Sequence, residues 1–253
     1  MKYFLTVTWG IICVIVLAFG HFHWNQKIAV KAVEPLFTQQ DTNEIDHDDY
    51  LELASNWPEP AKEQLKLALE HNLPFKIAFV GSTAMDWEKN VSQSLSDSFG
   101  SDRIHTAQFT YDQTTKDLIA ENKQLEIAAE KAQLVVIEPF LFNDNGKLKI
   151  NATLANVTKL MEDIKTANPD TTFILQPSYP IYLPQYYSVQ VEGLKQFAAE
   201  NNITYLDHWT AWPATDNLEL KEYLTEGENG PNDNGNQVWA QFLVEYFVNK
   251  KAD

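Results

Sequence analysis

The run from residue 76 to residue 84 constrains the fold more than any other stretch of the chain. Ile77, Ala78, Phe79 and Val80 follow one another with no polar residue between them, which predicts a short strand buried on both faces. A strand with one wet face would alternate instead. The run breaks at Gly81-Ser82-Thr83, and Trp87, Val91, Leu95 and Phe99 then recur at four-residue steps, one face of a helix. A buried strand that turns directly into a helix places the Ser82 and Thr83 hydroxyls at the C-terminal edge of a sheet. Ligands gather at that edge in open α/β sheets, and the helix start adds free N–H groups. Taken locally, Ser82 could equally be a helix cap and nothing more.

The rest of the chain repeats the pattern. Residues 104–111, 134–140, 172–176 and 203–207 predict further strands, and residues 114–131, 154–164, 185–201 and 237–248 predict helices between and after them. Five strands alternating with helices imply a parallel sheet covered on both faces, because parallel neighbours need crossover connections.

The N-terminal part has a different character. Residues 3–22 carry no charged side chain, and at about 1.5 Å per residue such a run spans roughly 30 Å, one bilayer core. Lys2 precedes it and Trp24 follows it, which predicts an uncleaved single-pass anchor over residues 1–24 with the remainder outside the cell membrane. The exit His21-Phe22-His23-Trp24 offers no small-residue cleavage site. Residues 25–74 read as a stalk, acidic between 39 and 50, followed by an entrance helix behind Pro58 and Pro60. The folded domain is expected over residues 75–253. The net charge of −16 argues against nucleic acid and against an anionic membrane surface as ligands. The one cysteine, Cys13, leaves neither an internal disulfide nor a cysteine metal site.

Polar residues follow each strand: Ser82 and Thr83, Asp112, Asn143 and Asp144, Gln176, Asp207 and His208. In a parallel sheet these positions converge on one edge. Three of the clusters resemble the blocks of the SGNH/GDSL hydrolases. Gly81-Ser82-Thr83-Ala84 looks like the block that carries the nucleophile. Phe142-Asn143-Asp144 looks like the block with the oxyanion-hole asparagine. The stretch from Gly230-Pro231-Asn232 to Trp239-Ala240 looks like the block before the final helix.

The resemblance implies a flavodoxin-like three-layer α/β/α sandwich with strand order 2-1-3-4-5. It also implies an ester hydrolase that needs no metal or cofactor and acts on a small-molecule or glycan ester. Ser82 or Thr83 would be the nucleophile and Asn143 an oxyanion donor, with Gly81, Asp112, Asp144 and Asn232 lining the substrate site. The sequence departs from the family at Ser82, where the family has aspartate, at Leu141, and at Gly230, where it has its histidine. The family's acid position falls at or beside Gly227. His208 is then the one histidine at the correct edge to act as base, with Glu226 or Glu228 to orient it. A second reading is a binding protein on the same fold. Its stacking surface would be Tyr179, Tyr182, Tyr186, Tyr187, Trp209 and Trp212.

Overall fold

The structure, a computed structural model, describes residues 47–249. The chain opens with two helices, α1 (His47–Leu53) and α2 (Glu59–Glu70), and enters the sheet at β1 (Phe75–Ser82). It continues through α3 (Glu88–Phe99), β2 (Ile104–Tyr111), α4 (Thr115–Ala120), α5 (Lys123–Glu130), β3 (Leu134–Ile137), the single turn α6 (Leu141–Asp144) and α7 (Ile150–Ala167). Then come β4 (Thr172–Leu175), α8 (Tyr186–Glu200), β5 (Thr204–Tyr205), two 3₁₀ turns (His208–Ala211 and Leu218–Tyr223) and α9 (Asp233–Phe247). The five strands form one sheet in the order β2-β1-β3-β4-β5, and every pair in it is parallel. Order and direction are those the resemblance implies.

Each face of the sheet has its own core, as the unbroken apolar runs require. Ile77, Phe79, Leu134, Val136 and Ile174 face one cluster with α1, α2, α3 and α9. Ala78, Val80, Val135, Ile137 and Leu175 face the other with α5, α7 and α8. The order reverses between β1 and β3, where Val80 pairs with Ile137. Such a reversal is the switch point at which open α/β sheets bind their ligands.

Three local expectations change. Residues 47–74 are not a stalk leading to the domain but part of it: Tyr50, Ala54, Trp57, Ala61 and Leu65 are buried in the first core. The Trp57 ring lies 5.5 Å from Phe75 and its Nε1–H donates to the Phe247 carbonyl at 2.9 Å. The acidic side chains of α1 mask this, because one aromatic, Tyr50, carries its buried face. The helix expected over 114–131 is broken in two at Asn122, which adopts a left-handed φ of 58°, as asparagine tolerates. β5 is only two residues long because the chain turns at once into the 3₁₀ segment at His208. Among the described residues no helix is long and apolar enough to cross a membrane. The anchor expected at residues 3–22 lies outside them.

Candidate active site

The strand ends at the switch point carry a buried polar cluster. β1 delivers Ser82, which is 4% exposed, and its hydroxyl oxygen has no solvent contact and no hydrogen-bond partner. Thr83, one residue on, is exposed. β3 delivers Glu138 immediately after Ile137, fully buried. Its carboxylate accepts the Ser82 N–H at 2.8 Å and the Phe140 N–H at 3.0 Å. These two donors are why a carboxyl group is tolerated there at all. Burial pushes the Glu138 carboxyl above the usual carboxylate range, while the Ser82 and Phe140 N–H groups pull it back.

β4 delivers Gln176 and Ser178, both fully buried. The Gln176 side-chain oxygen accepts the Trp239 indole N–H at 3.0 Å. Gly81 is required at the centre: a Cβ there would sit 2.3 Å from Met85 Sδ and 2.9 Å from Glu138 Cβ. The third strand thus supplies the residue that sequence reasoning missed. Its signal was present, a lone glutamate at the end of an otherwise apolar strand, directly before Pro139.

The other candidates are placed differently from expectation. His208 is fully buried, and both ring nitrogens are in use. Nε2–H donates to the Pro177 carbonyl at 2.9 Å, and Nδ1 accepts the Trp212 indole N–H at 3.1 Å. An indole can only donate and a carbonyl only accept, so the tautomer is fixed and neither nitrogen is left for Ser82. The ring stacks on Trp239 at 4.1 Å. Burial lowers its pKa to about 3, the opposite of what a base working near neutrality needs. Glu226 is exposed, and Glu228 pairs with Lys221 at 2.7 Å, so neither orients His208.

Asn143 gives its side-chain N–H to the Gln113 carbonyl at 3.1 Å and is committed away from an oxyanion. Asp144 is buried and fully satisfied by Thr115 N–H at 2.8 Å and by the Thr115 and Thr153 hydroxyls at 2.6 Å each. It ties α4 to α7 and does not line a site. Asp144→Asn turns one acceptor into a donor against those groups and should cost about 1–2 kcal/mol, read as a lower urea midpoint. Asn232 caps α9, accepting the Gly235 N–H at 3.1 Å and donating to the Glu222 and Leu224 carbonyls. Asp112 is exposed beyond β2. Of the expected aromatic surface, Tyr179, Tyr187 and Trp212 are core residues, and Tyr186 is largely exposed.

No family model matches this sequence, and no curated protein matches it. Solved structures do. A protein assigned as a GDSL-like lipase from Parabacteroides merdae superposes with a TM-score of 0.57 at 14% identity, over 68% of this chain and 95% of that one. An acetylxylan esterase from Geobacillus stearothermophilus gives 0.55 at 16% identity, over 68% and 94%. A protein assigned as an acylhydrolase from Bacteroides fragilis gives 0.53 at 18%, over 74% and 96%. The match covers 95%, 94% and 96% of the three solved chains. At these identities the likeness is one of architecture, and the chain is built on the SGNH/GDSL hydrolase fold.

Proposed function

We propose that the protein is an ester hydrolase of the SGNH/GDSL type that cleaves acyl or acetyl esters. The observation that carries this is the buried, unpartnered Ser82 hydroxyl at the switch point, on the residue whose N–H the Glu138 carboxylate accepts at 2.8 Å. Glu138 takes the part that the family gives to histidine. As Ser82 Oγ attacks the ester carbonyl carbon, its proton passes to the Glu138 carboxylate. The ester C–O bond breaks, and the leaving alkoxide takes that proton. Water then attacks the acyl-serine as Glu138 takes its proton, the bond from the acyl carbon to Ser82 Oγ breaks, the carboxylic acid leaves, and Ser82 Oγ takes the proton back from Glu138. A carboxyl held above its usual range is, once ionised, a better base than an ordinary glutamate.

Ester-modified glycans of the cell envelope are the proposed substrates. The acetylxylan esterase shares the fold, and the charge-free residues 3–22 would anchor the protein with its domain outside the membrane. The enclosure of the Ser82 hydroxyl and the engagement of His208 favour a second reading, a hydrolase fold that binds a ligand without cleaving it. The test is a fluorophosphonate. The purified protein should take up one label, lost in Ser82→Ala and kept in Thr83→Ala. A membrane-impermeant version should label intact cells. Absence of both labelling and 4-nitrophenyl acetate hydrolysis from pH 5 to 9 leaves the binding reading.

A further inference from the structure

Two segments, one following β4 and one preceding α9, meet through Glu228, which stands beside the position where the family's acid falls. The first follows β4. Ser178 and Tyr179 are both buried. The chain then rises to Leu183, which is 57% exposed although it stands at a left-handed φ of 48°. That conformation is unfavourable for leucine, and it immediately precedes Pro184. The segment is pinned by the Leu183 N–H donating to the Thr215 carbonyl at 2.8 Å.

The second segment is closed at its base by the antiparallel bridge between Leu224 and Pro231 and by the Thr225 N–H donating to the Gly230 carbonyl at 2.9 Å. At its tip Gly227 has φ 129° and Glu228 a left-handed φ of 55°. Glu228 joins the two. One carboxylate oxygen accepts the Tyr182 N–H at 3.3 Å, and the other pairs with Lys221 at 2.7 Å. Lys221 in turn stands 4.7 Å from the centre of the Tyr182 ring.

We propose that residues 178–184 and 224–231 form a closure over Ser82 and Glu138, with Glu228 as its latch and a positioning residue for the site. The inference rests on reading those two residues as the site. Four observations support it. The Ser82 hydroxyl has no solvent contact, so a substrate reaches it only if its cover moves. The first segment follows Gln176, whose N–H donates to the carbonyl of Ile137, next to Glu138, at 3.0 Å. The strained residues Leu183 and Glu228 lie in the two segments that Glu228 joins, and strain of this kind collects at switching elements. The latch is weak as well, a long hydrogen bond and a half-exposed ion pair, both of a strength that thermal motion breaks often. The positions of the family's acid and base thus belong here to a fastening.

The test is thiol labelling in the full chain. With Cys13→Ser removing the one native thiol, Ser82→Cys reports the enclosed position and Thr83→Cys the exposed one. Adding Glu228→Ala should speed labelling at position 82 about tenfold, the effect of losing one hydrogen bond and one exposed ion pair. Labelling at position 83 should not change. An unchanged rate at position 82 overturns the proposal. Should Ser82→Cys fail to fold, hydrogen exchange in a chain carrying only Glu228→Ala decides it. Amides of residues 178–184 should exchange faster by a similar factor while β3 keeps its protection, and equal exchange in both chains overturns it. Neither readout needs turnover, so a protein that hydrolyses no ester still tests the closure.

Discussion

Glu138→Gln should lower ester hydrolysis by about 10²–10⁴-fold, the range that a positioned general base contributes, while the protein stays folded. The amide occupies the volume of the carboxyl and can still accept one of the two N–H groups, from Ser82 or Phe140, that now hold it at 2.8 and 3.0 Å. The other donor would face the new NH₂ group, at a cost of about 1–3 kcal/mol. Glu138→Ala leaves both donors unmet and adds a cavity, so its cost should be larger, about 2–5 kcal/mol. Removing a desolvated carboxyl returns part of that, because burial already opposes its ionisation.

The comparison of Gln with Ala separates chemistry from support. A purely structural Glu138 predicts that activity tracks stability and that Gln retains most of both. A base predicts that Gln is folded and inactive. In the wild type the acid limb of the pH–rate profile should lie above the 4.5 of an ordinary glutamate, since activity rises as the carboxyl loses its proton. A limb at or below 4.5 would remove Glu138 from the mechanism.

The architecture was legible because its signal is local. Unbroken apolar runs such as Ile77 to Val80 and Leu134 to Ile137 specify strands buried on both faces, and parallel order follows from the helices between them. The edge that carries the polar residues follows in turn, and Ser82 could be placed on it from sequence. The partners of those residues could not. Glu138 meets Ser82 only because Val80 pairs with Ile137 across β1 and β3, a register that no spacing within one strand reveals. His208 was singled out by its position at the correct edge. Its environment is set by Trp212 in the next turn, by Pro177 and by Trp239 from the last helix. The resemblance of the last block likewise marks a packing unit. Asn232 caps α9, and a Cβ on Gly235 would lie 2.3 Å from the Tyr223 carbonyl. Motif likeness therefore located helix docking without its chemistry.

His208 should make the protein acid-sensitive and leave its activity profile alone. In the folded state its pKa is lowered from 6.5 to about 3, while in the unfolded chain the ring titrates normally. Between those values the unfolded state carries a proton that the native state refuses, so stability falls as pH falls, by about 1.4 kcal/mol for each pH unit. The loss from this one residue is on the order of 4–5 kcal/mol across the window. Glu138 acts in the opposite sense. Its raised pKa means that the native state holds a proton at pH values where the unfolded chain has lost it, so its contribution favours the native state more as pH falls toward 4.5. The two contributions overlap, and the wild-type curve alone does not separate them. His208→Gln does. At pH 7 it should cost about 2–4 kcal/mol, because the stack on Trp239 is lost and the Trp212 N–H and Pro177 carbonyl need new partners. As pH is lowered from 6.5 toward 4, urea unfolding should show the gap between variant and wild type narrowing, since only the wild type has a buried imidazole to charge. A gap constant with pH would mean that His208 titrates normally in the fold, and the ring would again be available as a base. With the gap narrowing, the acid limb of hydrolysis should sit at the same pH in both proteins, set by Glu138.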